Sequence, residues 1–344
     1  MHKFYTLSSS AIDAMRDAVR AATTSVYWES YIFQNDIIPT HNFIDLFRQK
    51  AEEGVRVVII LDGFGSYSVR TDEIDTLKAA GAEVLFFTHW FRRIHRKILV
   101  VDEQIGFFGG VNVGSQYVQW LDLHLRVTGK LVRSLVRTFA HSYAVCGGTD
   151  PMLLAKQKLA APVARTKIWL LEHWPVLGKR KLRKHYEERI RDAHEHITIV
   201  TPYFLPHSWL VRALKEAQKR GVAVDVLLPQ YTSPKGAGIA NYLNARRLTS
   251  DLMHFYFTPE MIHAKALLID NTEGMVGSQN IDALSFDHNT EMSAVFKQKS
   301  MIRDLTRIIS GWKAQAIPFD RLPWKQRWYH RPLVTLLDFL QPIL

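Results

Sequence analysis

Two histidine–lysine pairs are the residues of this sequence best suited to chemistry. In each motif a lysine follows the histidine by two residues, an aspartate follows the lysine by five, and a glycine step and an asparagine come next. The first copy comprises His95, Lys97, Asp102 and Asn112, and the second comprises His263, Lys265, Asp270 and Asn280. One copy alone would be weak evidence for a site, but two copies in matching contexts are a strong signal.

The spacing of these residues suits the binding of a phosphodiester. On a strand, residues two apart share a face, so each histidine is expected to project beside its lysine. A phosphodiester is a compact anion that needs positive charge and hydrogen-bond donors fixed around its oxygens. The expected phosphate-binding residues are Lys97, Asn112, Lys265, Ser278 and Asn280.

Two imidazoles that face one cleft can divide the work of phosphodiester transfer. One neutral imidazole attacks phosphorus while the other, protonated, donates its proton to the leaving alkoxide. An alcohol or water then attacks the phosphohistidine, with the second imidazole now acting as the base. Histidine suits both roles because its ordinary pKa lies near neutrality.

Four carboxylates accompany the motifs, and two of them are expected to orient the imidazoles. Asp122 lies 27 residues after the first motif histidine, and Glu291 lies 28 residues after the second. Asp102 and Asp270 are candidate catalytic residues too, although strand parity places them on the face opposite the histidines. Because their contexts resemble hairpin turns, a role in ordering the motif is an equally good interpretation.

The remaining histidines and the cofactor question receive simpler interpretations. The alternative for the motif histidines is a purely structural role, with each histidine packed on a strand beside a lysine that reaches solvent. Such a role would be ordinary for a single copy, but it does not explain why the motif occurs twice. A metal site is not expected, since lysine is not a normal ligand and no ligand cluster has metal spacing, and no cofactor is predicted. His124, His254 and His288 are interpreted as solvent-facing or packing residues.

An internal repeat organises the chain. Residues 52–63 match residues 219–230 at an offset of 167, and residues 95–113 match residues 263–281 at an offset of 168. Each half is predicted to alternate helices with apolar strands and to end in a hairpin, a further strand and a closing helix. This pattern indicates an α/β fold of two quasi-symmetric αβα sandwich halves, with mostly parallel or mixed sheets and the active site at their interface.

The repeat also predicts the domain boundaries. The first half is expected over residues 1–150 and the second over residues 179–317, with a linker at residues 151–178. A basic and apolar tail, residues 318–344, lies outside the repeat.

Composition narrows the class of partner. The chain has 44 lysine and arginine residues against 33 aspartate and glutamate residues, a net charge of +11. This excess favours nucleic acid, an acidic membrane surface or a phosphorylated substrate. The single cysteine, Cys146, excludes an internal disulfide framework. With neither a signal-peptide core nor about 20 consecutive apolar residues, the expected location is the cytoplasm or the cytoplasmic side of the cell membrane.

Residues 8–316 resemble the phospholipase D superfamily, whose mark is two HxKxxxxD motifs, each followed by a G-G/S-x-N step. Within that superfamily the chain is most similar to the bacterial cardiolipin synthases. The stretches that carry this similarity are residues 61–66, 95–114, 201–206 and 263–291. The resemblance implies a metal-independent phosphohistidine mechanism in which a second phospholipid donates a phosphatidyl group to phosphatidylglycerol, giving cardiolipin.

The resemblance also implies roles and shows two departures. It makes His95 the nucleophile and His263 the general acid, although the quasi-symmetry leaves the reverse assignment open. Gly110 stands where the second motif keeps Ser278, so a hydroxyl is available on one side only. The sequence lacks the N-terminal membrane-spanning pair of many cardiolipin synthases, so we expect it to reach lipid from the membrane surface.

Three segments combine basic and aromatic residues in the manner of membrane-interface segments. They lie before the first motif, within residues 164–189 and in the tail. Their candidate contact residues are Trp90, Phe91, Arg92, Arg93, Trp169, Trp174, Lys179, Arg180, Lys181, Trp324 and Trp328. For the basic run at residues 179–184 the alternative is a solvated helix face. For the tail it is packing onto the protein itself or onto a dimer partner.

Three functions compete on this evidence. The favoured one is a phosphatidyltransferase acting on phospholipids at an anionic membrane surface, and a hydrolytic phospholipase D would share every catalytic residue with it. A metal-independent nuclease suits the net charge equally well, but aromatic and apolar patches favour lipid. A non-enzymatic binding protein is disfavoured because both motifs are intact. The oligomeric state is not predicted.

Overall fold

A computed structural model describes residues 1–37, 40–159 and 167–322. In the first half the elements are, in order, β1 (His2–Leu7), α1 (Ser8–Arg20), β2 (Ser25–Ser30), α2 (Phe43–Glu52), β3 (Arg56–Asp62), α3 (Thr71–Ala79), β4 (Glu83–Phe87), β5 (Lys97–Val101), β6 (Ile105–Gly109), β7 (Leu121–Thr128) and α4 (Lys130–Val145). The second half contains α5 (Pro151–Ala155), β8 (Ile168–His173), α6 (Leu182–Arg191), β9 (His196–Val200), α7 (Ser208–Lys219), β10 (Ala223–Pro229), α8 (Lys235–Leu248), β11 (Met253–Thr258), β12 (Ala266–Ile269), β13 (Glu273–Gly277), β14 (Glu291–Phe296), α9 (Lys299–Gln315) and β15 (Ile317–Pro318).

Each half is built around one mixed sheet. The first sheet has the order β1-β7-β6-β5-β2-β3-β4, in which only the β2–β3 and β3–β4 pairs are parallel. The second has the order β15-β11-β10-β9-β12-β13-β14-β8, and its parallel pairs are β9–β10 and β10–β11. The predicted two-half α/β fold is confirmed, and its sheets are mixed because the hairpin strands run antiparallel to the strands beside them.

Two edge strands lie outside the predicted pattern. Strand β1 pairs with β7, and β8 pairs with β14, both antiparallel. The range 151–178 is therefore more than the predicted linker, since it gives β8 to the second sheet and places α5 against α4.

Helices cover both faces of each sheet. In α4 the buried residues Leu131, Leu135 and Phe139 recur every four positions, which makes one face of the helix apolar. Helices α4 and α9 contribute to a single core that includes strand residues from both sheets. Separate cores lie under α1, α2 and α3 in the first half and under α6, α7 and α8 in the second. The shared core joins the halves through their inner faces.

Within the described residues, no helix combines the length and the apolar character needed to cross a bilayer.

Candidate active site

The two motifs meet where the halves join. The segment that leads into β5 pairs with the start of β14, and the backbone N–H of His95 donates to the Thr290 carbonyl at 3.0 Å. The equivalent segment before β12 pairs with the start of β7, where the N–H of His263 donates to the Leu121 carbonyl at 2.6 Å. Two matching junctions thus fix each histidine against a strand of the other half.

The orienting carboxylates are exchanged between the halves. Nδ1 of His95 lies 3.0 and 3.2 Å from the two carboxylate oxygens of Glu291, and Nδ1 of His263 lies 2.9 Å from Oδ2 of Asp122. The sequence positions each carboxylate after the histidine of its own half, whereas in the structure each contacts the histidine of the other half. A carboxylate only accepts, so Nδ1 of each neutral imidazole carries the proton and Nε2 carries the lone pair.

The surroundings of the two carboxylates differ. Hydroxyls of Ser278 and Ser285 both donate to Glu291. The Ser278 hydroxyl, expected to bind phosphate, is therefore engaged in holding the carboxylate. On the other side Asp122 accepts from the N–H of Leu123, and a Cβ added at Gly110 would stand 2.1 Å from its Oδ1. The serine missing from the first motif would collide with the carboxylate that orients His263.

Burial controls the charge of the imidazoles. It lowers the pKa of His95, and it lowers that of His263 to about 3 with help from the charge of Lys265. Burial alone would raise the pKa of Glu291, but contact with His95 outweighs it and holds the value at about 2. Neutral imidazoles beside ionised carboxylates are the resulting state near neutral pH.

The two lysines are buried between these carboxylates. Nζ of Lys97 donates to the carbonyl of His95 at 2.7 Å and lies 5.0 Å from the Tyr31 ring centre. Nζ of Lys265 lies 2.7 Å from Nε2 of His263. Burial lowers the pKa of Lys97 to about 8 and that of Lys265 to about 7.

Asn112 and Asn280, the predicted phosphate ligands, are both buried. For each of them the side-chain Oδ1 has no hydrogen-bond partner within the described parts of the chain. Each asparagine follows the hairpin strand that pairs with its motif, so the Nδ2 of each amide is a candidate donor to a phosphate oxygen.

Asp102 and Asp270 lie at the far ends of the motif strands from the histidines. The Asp102 carboxylate accepts from the backbone N–H groups of Thr23, Thr24 and Ser25, and Asp270 accepts from those of residues 194–196. Both residues have positive φ, 51° and 49°. Of the two roles considered, the geometry fits the ordering of the hairpin, and a catalytic role for either aspartate is not supported.

Three residues beside the motifs were missed by sequence reasoning. The buried Asp62 accepts from the N–H groups of Phe64, Gly65 and Ile94, at 2.8–3.0 Å. Aromatic rings also wall the site: Tyr31 packs edge-on to His95 at 4.7 Å and Trp120 lies 5.4 Å from His263. Asp62 gave no repeat signal because Pro229 occupies the equivalent position in the second half.

The histidines judged ordinary lie outside this constellation. His124 is buried, and neither ring nitrogen has a hydrogen-bond partner in the part of the chain described. Burial lowers its pKa to about 4. Nδ1 of His254 lies 3.4 Å from Asp225, and His288 is half-buried.

The predicted membrane-contact residues include both exposed and buried side chains. Trp90 and Phe91 are exposed, as are the basic residues at 179–181. Trp174 is only 1% exposed, and the guanidinium of Arg96 covers its ring at 4.2 Å. The prediction that Trp174 contacts the membrane is therefore wrong. Trp169 is half-buried against the second-half core. Trp324 and Trp328 lie outside the described residues.

Comparison with known proteins decides the family. Residues 15–140 and 186–312, most of the chain, each match the family described as the PLD-like domain of cardiolipin synthase. The chain belongs to this family. The two matched segments are the two halves of the repeat.

Named relatives agree with this assignment. Similar proteins are a cardiolipin synthase of Halalkalibacterium halodurans, 29% identical over 96% of this chain and 69% of its own length, and the minor cardiolipin synthase ClsB of Bacillus subtilis, 29% identical over 82% and 73%. Cardiolipin synthase A of Pseudomonas fluorescens is 31% identical over 81% of this chain and 61% of that protein. The chain therefore spans about two thirds of the length of these relatives.

The fold recurs in a phosphatidylserine synthase of Haemophilus influenzae, with a TM-score of 0.80 at 14% identity, covering 100% of this chain and 95% of that one. A polyphosphate kinase of Porphyromonas gingivalis matches with a TM-score of 0.62 at 10% identity, over 98% and 53%. At these identities the likeness concerns the fold.

Proposed function

We propose that the protein is a phosphatidyltransferase that makes cardiolipin from phosphatidylglycerol at a membrane surface, using a second phospholipid as the phosphatidyl donor. The observation that carries the proposal is a single buried site in which two carboxylate-held imidazoles and two lysines converge from both halves. The cardiolipin synthases among its relatives supply the substrate class.

The first chemical step forms a covalent intermediate. Nε2 of His95 attacks the phosphorus of the donor lipid, a P–N bond forms, and the P–O bond to the headgroup alcohol breaks. His263 supplies the proton that this alcohol needs to leave. The ammonium groups of Lys97 and Lys265 balance the charge that develops on the phosphoryl oxygens.

The second step returns the enzyme to its starting state. A glycerol hydroxyl of phosphatidylglycerol loses its proton to His263 and attacks the phosphorus, so the P–N bond breaks and cardiolipin is released. Water attacking in place of the hydroxyl would give phosphatidic acid. Exclusion of water during this step therefore separates transfer from hydrolysis.

The hydrogen bonds support His95 as the nucleophile. Each lysine donates to the carbonyl of the histidine in its own motif, but Lys265 also contacts Nε2 of His263, whereas Lys97 leaves Nε2 of His95 uncovered. Burial and Lys265 keep His263 neutral without substrate. The negative phosphodiester draws the lysine charge to itself and raises the pKa of His263, which prepares it to carry the proton.

The test is a product assay with purified protein and phosphatidylglycerol vesicles, with and without phosphatidylethanolamine. Cardiolipin is the expected product, and its yield identifies the donor. Phosphatidic acid alone would replace the proposal with a hydrolytic phospholipase D, and metal-independent cleavage of DNA without any lipid product would replace it with a nuclease. A phosphoryl adduct found by mass spectrometry on His263 instead of His95 would reverse the assigned roles.

A further inference from the structure

Five large aromatic side chains project into solvent from loops that follow the parallel strands. Trp90 and Phe91 are 80% and 67% exposed, and they lie between β4 and the first motif. We use the name aromatic rim for these two residues together with Phe64, Tyr67 and Tyr231, which are 64%, 81% and 70% exposed. Exposed large apolar side chains that lie together are a feature of interaction sites.

The loops of the aromatic rim adjoin the active site, on the side that we take as its entrance. Its loops follow the carboxyl ends of β3, β4 and β10, the edge at which open α/β sheets bind ligands. Asp62 ties two of these loops together, since its carboxylate accepts from the N–H of Phe64 in one and of Ile94 in the other. Ile94 immediately precedes His95, so the rim loops are anchored one residue from the proposed nucleophile.

The repeat places a rim residue in each half. Tyr231 follows β10 as Phe64 follows β3, and the two positions are separated by the repeat offset of 167 residues. The loop that carries Tyr231 is tied to the β9 end of the site, because the hydroxyl of Tyr203 donates to the carbonyl of Ser233 at 2.5 Å. Aromatic groups therefore approach the entrance from both halves.

Positive charge accompanies the rim. The guanidinium of Arg93 stacks 4.2 Å from the Phe64 ring and donates to the His89 carbonyl at 2.8 Å, which orders the loop. The guanidinium of Arg92 has no ion-pair partner within the described ranges. Arginine beside tryptophan and phenylalanine suits the headgroup layer of an anionic bilayer, where the rings enter the interface and the cation meets lipid phosphate.

We propose that the aromatic rim inserts into an anionic phospholipid surface and holds the site entrance against it. This inference rests on the proposed function, because a lipid substrate is what makes such an orientation useful. With the entrance at the interface, a phosphodiester headgroup reaches His95 while its acyl chains stay in the bilayer. The occupant is a lipid surface rather than a partner protein because the aromatic and cationic groups together surround an entrance that must admit a lipid headgroup.

The test compares binding of the full chain and of a Trp90→Ala/Phe91→Ala variant to sedimented phosphatidylglycerol vesicles. We expect the variant to bind at least about tenfold more weakly. Met152→Ala is the matched control, because Met152 is 77% exposed on α5 and lies outside the rim. Equal binding by wild type and the rim variant, or equal losses in the rim variant and the control, would overturn the proposal.

A spectroscopic arm reports on the insertion itself. The difference in emission between wild type and Trp90→Phe isolates Trp90, and it should shift to shorter wavelength when phosphatidylglycerol vesicles are added. Vesicles of phosphatidylcholine alone should produce a smaller shift, because they lack the anionic charge that Arg92 meets. An unchanged difference spectrum with phosphatidylglycerol would show that Trp90 stays in water.

Activity separates this inference from the proposed function. We expect the rim variant to lose more turnover on vesicles than on a short-chain phosphatidylglycerol kept below its micelle concentration. If wild type forms cardiolipin and the rim variant matches it on vesicles, the rim proposal fails and the function stands. If no lipid is turned over but vesicle binding still depends on the rim, the function fails and the rim proposal stands.

Discussion

At the scale of single residues, the crossed carboxylates determine what each imidazole can do. Glu291 accepts from His95 and Asp122 accepts from His263, so the lone pair of each histidine is directed away from its carboxylate. A side chain in one half therefore sets the tautomer of a histidine in the other.

This crossing gives a prediction that distinguishes the two carboxylates. Glu291→Gln should perturb the imidazole Nδ1–H resonance of His95 and leave that of His263 nearly in place, as followed by NMR of histidine-labelled protein. Turnover should fall on the order of 100-fold because the tautomer is no longer enforced. Asp122→Asn should perturb the Nδ1–H resonance of His263 and leave that of His95 nearly in place. A shift confined to the histidine of the same half would refute the crossed arrangement.

The histidines themselves should be indispensable. His95→Ala and His263→Ala are each expected to reduce turnover by about a thousandfold or more, because one removes the nucleophile and the other the proton donor. Unfolding in urea supplies the control for retained structure. Near-normal turnover in either variant would mean that the site is misassigned.

Gly110 offers a test in which the serine of the second motif would be harmful in the first. Gly110→Ser gives the first motif the serine that the second motif has, but the added Cβ would lie 2.1 Å from Oδ1 of Asp122. We expect a loss of about 1–3 kcal/mol in the free energy of unfolding, together with reduced turnover as Asp122 moves. The matched variant Ser278→Gly should remove a hydrogen bond to Glu291 without such a collision. Greater stability in Gly110→Ser would contradict this account.

The buried lysines predict the alkaline side of the pH profile. Their pKa values of about 8 for Lys97 and about 7 for Lys265 are lowered mainly by burial. Raising the pH through these values removes positive charge that binds the phosphodiester, so kcat/KM should fall between pH 7 and 9. With Lys265→Arg, which stays charged, the fall should move toward the pKa of Lys97. A kcat/KM that stays level up to pH 10 would argue against this role.

Sequence reasoning located these residues but not their partners. The repeated motif identified both histidines and both lysines, because spacing alone places a histidine and a lysine together. It could not pair the carboxylates, since their contacts depend on how two sheets dock. Asp62 was missed for a related reason: it has no counterpart in the repeat.

At the scale of elements, the aspartates of the motifs act on the hairpins. Asp102 directly follows β5, and its carboxylate accepts three backbone N–H groups at the start of β2. Asp270 directly follows β12 and accepts three at the start of β9. Each therefore fastens a motif strand to its antiparallel neighbour. Their positive φ angles also suit the turn that follows.

If Asp102 only orders the hairpin, its replacement should lower the stability of the protein and leave catalysis nearly unchanged. Asp102→Asn keeps a residue that tolerates positive φ but removes the charge, and it should cost about 1–3 kcal/mol in unfolding free energy. The turnover number of the folded fraction should change by less than threefold, roughly within 0.7 kcal/mol of barrier. Urea unfolding and kcat measured on one preparation make the comparison. A large fall in kcat at unchanged stability would return Asp102 to the chemistry.

The elements predicted from sequence are those with a repeated pattern. The alternating helices and apolar strands were foreseen because both halves show them in sequence. Strands β1 and β8 occupy the same edge position in the two sheets, but their sequences HKFYTL and IWLLEH share no residue at matching places that would have revealed the pair. The burial of Trp174 was not foreseeable either, because it depends on Arg96, which has alanine at the equivalent position of the second motif. The prediction that Trp174 contacts the membrane failed because Arg96 of the same chain covers its ring.

At the scale of the whole molecule, all of the site contacts come from one chain. A mixture of the separately purified His95→Ala and His263→Ala proteins should therefore regain no turnover, since neither contains a complete pair of imidazoles. Activity returning on mixing would show that two copies share their halves. The wild-type protein diluted to the same concentration is the control.

The crossed hydrogen bonds also mean that neither half holds a complete site by itself. A ribosome releases the first half before the second exists, and at that moment His95 has no carboxylate to align it and no second imidazole to work with. The complete site therefore exists only after both halves have been synthesised and have packed against each other.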